Sequence, residues 1–292
     1  MTEQPSHRLE PVISEMRIDA HQHFWKYDPL EYDWIDDRMA ALRRDFLPAD
    51  LKAQLEHGGF DGSVAVQARQ SLDETRRLLE LAEKSPFILG VVGWVDLRSP
   101  DLRAQLERFA ANPKFVGVRH VIQSEPDDRF LLRPDFLRGV GMLAEFGLTY
   151  DILIYPRQLP AAIEFVRKFP NQPFVLDHLA KPPIATGMLE PWASGIRELA
   201  KSENVWCKVS GMVTEAEWSD RLPQTYRPYL DVVFEAFGTK RLMFGSDWPV
   251  CTVAASYGAV CTIVAKYLDQ FSSEEKDAVF GGNAARFWPL IS

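Results

Sequence analysis

Short apolar and β-branched runs recur along the chain, and after nearly every one the apolar residues change to helical spacing. A short, continuously apolar run reads as a buried strand, and a stripe at i, i+3, i+4 reads as one buried face of a helix. Strands are predicted near 17–23, 62–68, 88–95, 115–121, 149–155, 173–178, 205–210 and 241–246. Helices are predicted at 48–57, 134–146, 158–168, 191–202, 227–237, 254–270 and 273–280. Two more have clear starts. Ser71-Leu72-Asp73-Glu74 reads as a capping box ahead of Leu78, Leu79, Leu81 and Ala82, and Ser99-Pro100 as an N-cap with proline at N1 before Leu102, Leu106 and Phe109. Ser272 and Glu275 form a second capping box.

Eight strands alternating with helices predict parallel βα units, and in this length an α/β (β/α)8 TIM barrel, whose chemistry sits at the C-terminal ends of its strands. A doubly wound sheet is the rival. It lacks support, because no GxGxxG follows the first strand and no GxxxxGK[ST] occurs. Residues 1–16 read as a polar leader that sets His7 aside, and 17–292 as a single domain. Two loops leaving the catalytic end are longer than a barrel needs, 24–47 and 212–228, and serve as pocket walls or lids in this reading.

Composition narrows the picture only a little. At 46% hydrophobic and 25% charged, with no apolar run long enough to cross a bilayer, no membrane association is expected. The net charge of −8 comes without a basic block, so no nucleic-acid partner is expected. Three cysteines without CxxC spacing suggest neither a disulfide framework nor a thiolate metal site, and a cytoplasmic location fits. Oligomeric state is left unassigned.

The chemistry lies at strand ends. His21 and His23 stand two apart, on one face of an extended strand, while His120, His178 and Asp247 end later predicted strands. Neutral imidazole and carboxylate oxygen suit zinc and related ions, so His21, His23, His178 and Asp247 make a candidate mononuclear metal site with an open water position. Asp247 is then the candidate general base. Singly, His178 reads equally as a core histidine and Asp247 as a turn or N-cap residue. His178 and His120 are candidate catalytic residues beside Asp247, His120 as a hydrogen-bond donor to substrate; Arg119, Lys181 and Lys208 are candidate substrate contacts, though either lysine reads equally as a salt-bridged strand-end group. Trp25, Trp34, Trp94 and Trp248 fall near the same end and suit the C–H face of a sugar ring.

These residues carry a resemblance. Asp19-Ala20-His21-Gln22-His23-Phe24-Trp25, Val118-Arg119-His120, Val175-Leu176-Asp177-His178 with Lys181-Pro182, Cys207-Lys208-Val209-Ser210-Gly211 and Phe244-Gly245-Ser246-Asp247-Trp248-Pro249 resemble the amidohydrolase superfamily. Within it they are most similar to the sugar-lactonase branch of L-fuconolactonase and L-rhamnonolactonase. The resemblance implies a TIM barrel that opens an aldonolactone such as L-fuconolactone to the hydroxy acid, in sugar catabolism. It assigns His21, His23, His178 and Asp247 to the reacting centre.

The chain departs from binuclear members: its fourth predicted strand ends without a lysine and its fifth without a histidine, so a second metal is not expected. Two modes remain open, one divalent ion, with zinc first, or metal-independent attack with Asp247 as base and histidine, arginine or lysine at the oxyanion. The alternatives are a lactonase of a pyrone dicarboxylate or muconolactone type, an amidohydrolase-type decarboxylase, and a catalytically silent binding barrel. An anionic substrate wants converging arginines, for which Arg119, Arg43, Arg44 and Arg221 are the candidates.

Overall fold

The computed structural model describes residues 16–219 and 222–290. The leader reading of 1–16 falls, but for Met16, outside the described residues, as does Arg221. Eight strands hydrogen-bond in chain order as one parallel sheet: β1 Ile18–Gln22, β2 Gly62–Val66, β3 Ile88–Gly93, β4 Phe115–His120, β5 Thr149–Ile152, β6 Phe174–Leu176, β7 Val205–Val209 and β8 Leu242–Phe244. Each lies within its predicted range and is shorter. The ends of the predicted runs peel away from the sheet to carry loops.

The sheet closes just past the strand ends. Asp247 donates its backbone N–H to the His21 carbonyl at 2.9 Å, and His23 donates to the Trp248 carbonyl at 2.7 Å. The backbone that joins β8 to β1 therefore also fixes His21, His23 and Asp247 relative to one another. At the opposite mouth Trp288 and Leu290 pack with Met16, Ile18 and Leu89, and the Trp288 indole donates to Thr149 Oγ1 at 3.0 Å.

The helices around the barrel are α1 Pro48–Gly58, α2 Leu72–Lys84, α3 Leu102–Ala110, α4 Pro134–Gly141, α5 Leu159–Arg167, α6 Trp192–Leu199, α7 Met212–Glu215, α8 Pro223–Phe237, α9 Tyr257–Leu268, α10 Ser273–Asp277 and α11 Asn283–Phe287. Three differ from expectation. The helix predicted over 134–146 stops at Gly141 and continues as a 3-10 turn, Leu143–Phe146; Gly139 and Gly141 weaken its last turn by about 1 kcal/mol each relative to alanine. The helix predicted from 227 begins at Pro223, because proline suits N1 and packing tolerates the interior Pro228. The segment predicted as 273–280 divides after Asp277 into a π turn and α11.

One cap is also corrected. Ser71 Oγ accepts from the Asp73 N–H at 3.1 Å, but Glu74 does not reach back to Ser71. It turns inward and accepts from the N–H groups of Ala68 (2.6 Å) and Arg69 (3.0 Å) and from the Tyr32 hydroxyl (3.1 Å). The β2–α2 loop has buried N–H donors to satisfy, and that need outweighs a helix cap. The box at Ser272 and Glu275 forms in both directions. Among the described residues no helix is long and apolar enough to cross a membrane.

Candidate active site

Four predicted side chains meet at one point above the closed end of the sheet. His21 Nε2 lies 3.2 Å from His23 Nε2, His23 Nε2 lies 3.3 Å from Asp247 Oδ1, and Asp247 Oδ1 lies 3.9 Å from both His21 Nε2 and His178 Nε2. Ligand atoms around a tetrahedral zinc with bonds of about 2.0–2.1 Å are separated by roughly 3.4 Å, so His21, His23 and Asp247 fit one ion with a fourth position open, and His178 Nε2 flanks them on the Asp247 side.

Their protonation supports the same reading. The Nδ1 of His23 faces the Val66 carbonyl at 2.8 Å. A carbonyl only accepts, so Nδ1 carries a proton and Nε2 is the atom that His23 turns toward Asp247. Burial pushes the His21 imidazole well below its usual range, with Lys208 and His178 adding to the effect, and burial lowers His178 to about 4. Burial alone would raise Asp247, but His178, His23 and His21 outweigh it and hold the carboxyl well below the usual carboxylate range. Arg119 Nη1 reaches His21 Nε2 at 3.3 Å. His23 Nε2 and Asp247 Oδ1 face each other at 3.3 Å, an arrangement satisfied by a proton on Nε2 or by a metal cation between them.

Beneath this point lies a buried ionic layer. Lys208 Nζ, from β7, is 2.5 Å from Asp151 Oδ2 of β5, 3.1 Å from Asp177 Oδ1 and 3.2 Å from His21 Nδ1. Asp177 also takes the Arg119 guanidinium at 3.0 Å. Burial would raise Asp177, but Lys208, His21 and Arg119 draw it well below the usual range; burial pushes Asp151 up to about 7 against the pull of Lys208. The layer orients His21 from below through its Nδ1.

Strained backbone presents the upper residues. His178, Leu179, Ala180 and Lys181 all have left-handed φ, 51–56°, and Asp247 has φ 57°. Each such residue costs about 1–2 kcal/mol, which surrounding bonds must offset. Trp192 donates to the Leu179 carbonyl at 2.7 Å, and His178 Nδ1 pairs with Ser210 Oγ at 2.8 Å. Gly211, also left-handed, lies so near that a Cβ there would stand 2.5 Å from His178 Nδ1.

A cavity of about 690 Å³ opens above the site. Of the predicted residues, His23, Trp34, Arg119, His178, Lys181 and Asp247 line it. His21 is fully buried just below. The structure places the others elsewhere. Lys208 lies in the ionic layer, with no exposure. His120 spends Nε2 on Glu125 (2.7 Å) and receives the Trp94 indole N–H at Nδ1 (3.4 Å), off the cavity wall. Trp25 is buried, donating to the Leu42 and Arg44 carbonyls, and Trp248 packs against Phe24 and Phe46.

Asp151, Asp177, Tyr155, Glu215 and Trp218 were not among the predicted site residues. For Asp151 a signal existed: a carboxylate within a continuously buried strand needs a cation, and Lys208 stands in another such strand. Glu215 and Trp218 belong to the 212–228 segment expected to wall the pocket, and both line the cavity; for Tyr155, on a loop, no pattern marks the cavity.

Residues 18–290 match the amidohydrolase family. The L-fucono-1,5-lactonase of Burkholderia multivorans is 42% identical over 289 residues, 95% of this chain and 97% of that protein. The L-fucono-1,5-lactonase of Burkholderia ambifaria is 40% identical over 278 residues, 94% and 96% of the two chains. A crystal structure of a Burkholderia multivorans amidohydrolase with bound zinc superposes with a TM-score of 0.91 at 43% identity, covering 94% of this chain and all of that one. With this coverage and the geometry above, the chain belongs to the amidohydrolase family, in its sugar-lactonase branch.

Proposed function

We propose that this protein hydrolyses the lactone of a sugar acid, an L-fucono-1,5-lactone-like ring, to the open hydroxy acid. The observation that carries the reading is an ionised Asp247 facing three imidazoles at the head of a cavity large enough for one sugar ring. Relatives at 40–42% identity named for this activity support it.

His21, His23 and Asp247 would hold one divalent ion, zinc in the related crystal structure, with His178 beside Asp247 as a further donor, and such an ion lowers the pKa of a bound water and polarises a carbonyl. The Asp247 carboxylate accepts the proton of the attacking water. Ser210 sets the His178 tautomer: donating to Nδ1, its hydroxyl leaves Nε2–H for the developing oxyanion, and accepting, it leaves Nε2 as a ligand. The ring C–O bond then breaks, and the proton held by Asp247 passes to the departing alkoxide.

The test follows acid release with a pH indicator on L-fucono-, L-rhamnono-, L-galactono- and D-arabinonolactones and a pyrone dicarboxylate. Fast turnover of the sugar lactones is expected, with loss on chelation and recovery with zinc if the ion is required. Turnover of the dicarboxylate alone would reject the reading.

A second expectation concerns Gly211. The Gly211→Ala methyl has no room beside His178 and sits at an unfavourable φ. A fall in kcat/KM of about 10- to 100-fold with a native circular dichroism spectrum is expected, and wild-type kinetics would show that Gly211 does not hold His178 in place.

A further inference from the structure

We infer that Glu215 is a specificity-determining residue, making the cavity select lactones of neutral, hydroxyl-rich acids over lactones that carry a carboxylate. The inference rests on the lactonase reading above.

A substrate carboxylate binds where a guanidinium or ammonium is available to it. The cavity wall has four cations, and three already have protein anions. Arg69 lies 2.5 Å from Glu31, Arg119 lies 3.0 Å from Asp177, and Lys181 lies 3.0 Å from Glu215. The guanidinium of Arg38 stacks 4.9 Å over the Trp218 ring, with no ion-pair partner given it among the described residues. Glu31, Asp33, Glu215 and Asp247 line the same wall, so a second carboxylate entering with the substrate meets like charge.

The Lys181–Glu215 pair is the part of this arrangement tied to the reacting centre. Lys181 ends the left-handed turn that begins at His178, and Glu215 ends α7, which starts beside Gly211 and so beside the His178 ring. Both side chains keep some exposure, 17% and 19%. Lys181 has three N–H donors and spends one on Glu215 Oε1, with the Tyr155 ring 5.6 Å from its ammonium. The Thr214 hydroxyl gives its proton to the Gly211 carbonyl at 2.8 Å, and Glu215, which lines the cavity, takes Lys181 on Oε1 and has no hydrogen bond to Oε2 among the described residues. Donor and acceptor side by side match two neighbouring hydroxyls of a sugar acid. A carboxylate at the same place finds Lys181 neutralised and Glu215 repelling it.

Glu215→Gln keeps the shape and a hydrogen bond to Lys181 but removes the charge. kcat/KM would be measured for L-fucono-1,5-lactone and for D-glucaro-1,4-lactone, which carries a free carboxylate. Binding of hydrolysis-inert hydroxylated δ-lactams, with and without a carboxylate, would be followed by tryptophan fluorescence. The neutral-to-anionic preference is expected to fall on the order of tenfold or more, mainly through tighter binding of the anion. Glu31→Gln, which frees Arg69 on another part of the wall, should shift the same ratio by less. An unchanged ratio in both variants, or a parallel loss on both ligands, overturns the inference. If the wild-type protein opens neither lactone, the lactonase reading fails, while the lactam binding ratio still decides the charge selection.

Discussion

Asp247→Asn is expected to lower lactone turnover by roughly 100- to 10,000-fold, the range for loss of a positioned general base. Its fold should survive. Asn is nearly isosteric with Asp and tolerates the left-handed φ of 57° that this position requires, and the backbone N–H to the His21 carbonyl does not depend on the side chain. The proton acceptor disappears, and the oxygen that the Nε2 atoms of His21, His23 and His178 face loses its charge, so the capacity to bind a divalent ion should fall too. The measurement is kcat on L-fucono-1,5-lactone above the spontaneous rate, with circular dichroism and metal content on the same samples. Near-wild-type kcat in a folded variant would remove Asp247 from the base role.

The second large effect is one of stability. Lys208→Met should destabilise the protein by about 3–5 kcal/mol, because breaking a buried ion pair strands the partner charge. Here Asp151 loses its ion-pair partner, Asp177 is left with Arg119 alone, and His21 loses the ammonium at its Nδ1. Methionine matches the length of the lysine stem, so packing against the Trp288 ring, 5.2 Å from the ammonium, is largely kept. Urea unfolding at neutral pH gives the number. Adding Asp151→Asn should recover part of the loss, since one uncompensated charge is then gone. If Lys208→Met unfolds at the wild-type midpoint, the ionic layer contributes nothing to the fold.

That layer also marks a limit of the linear pattern. A lysine near the end of a predicted strand reads as a group reaching into the cavity, and in sequence Lys208 and Lys181 look alike. They differ because Lys208 sits within β7 and points into the barrel interior among carboxylates from two other elements, while Lys181 ends the turn that rises from β6. The tryptophans divide likewise. Trp34 reaches the cavity, while Trp25 and Trp248 bury their rings in loop packing.

The eight strands, their alternation with helices, and the placing of His21, His23, His178 and Asp247 at strand ends are all legible in the linear pattern. Those features follow from local periodicity and from the rule that a barrel's strands all point one way, so strand ends share a face. Packing in three dimensions, by contrast, sets which side chains at that face point into the cavity. It also dictates that four consecutive left-handed residues without a glycine carry His178 and Lys181, and that each wall cation except Arg38 meets a carboxylate from a distant segment. These are outcomes of three-dimensional packing. A left-handed turn in L-residues is unfavourable on its own and forms only when bonds from Trp192 and Ser210 hold it, and an ion pair 34 residues apart in sequence, such as Lys181 with Glu215, leaves no local trace.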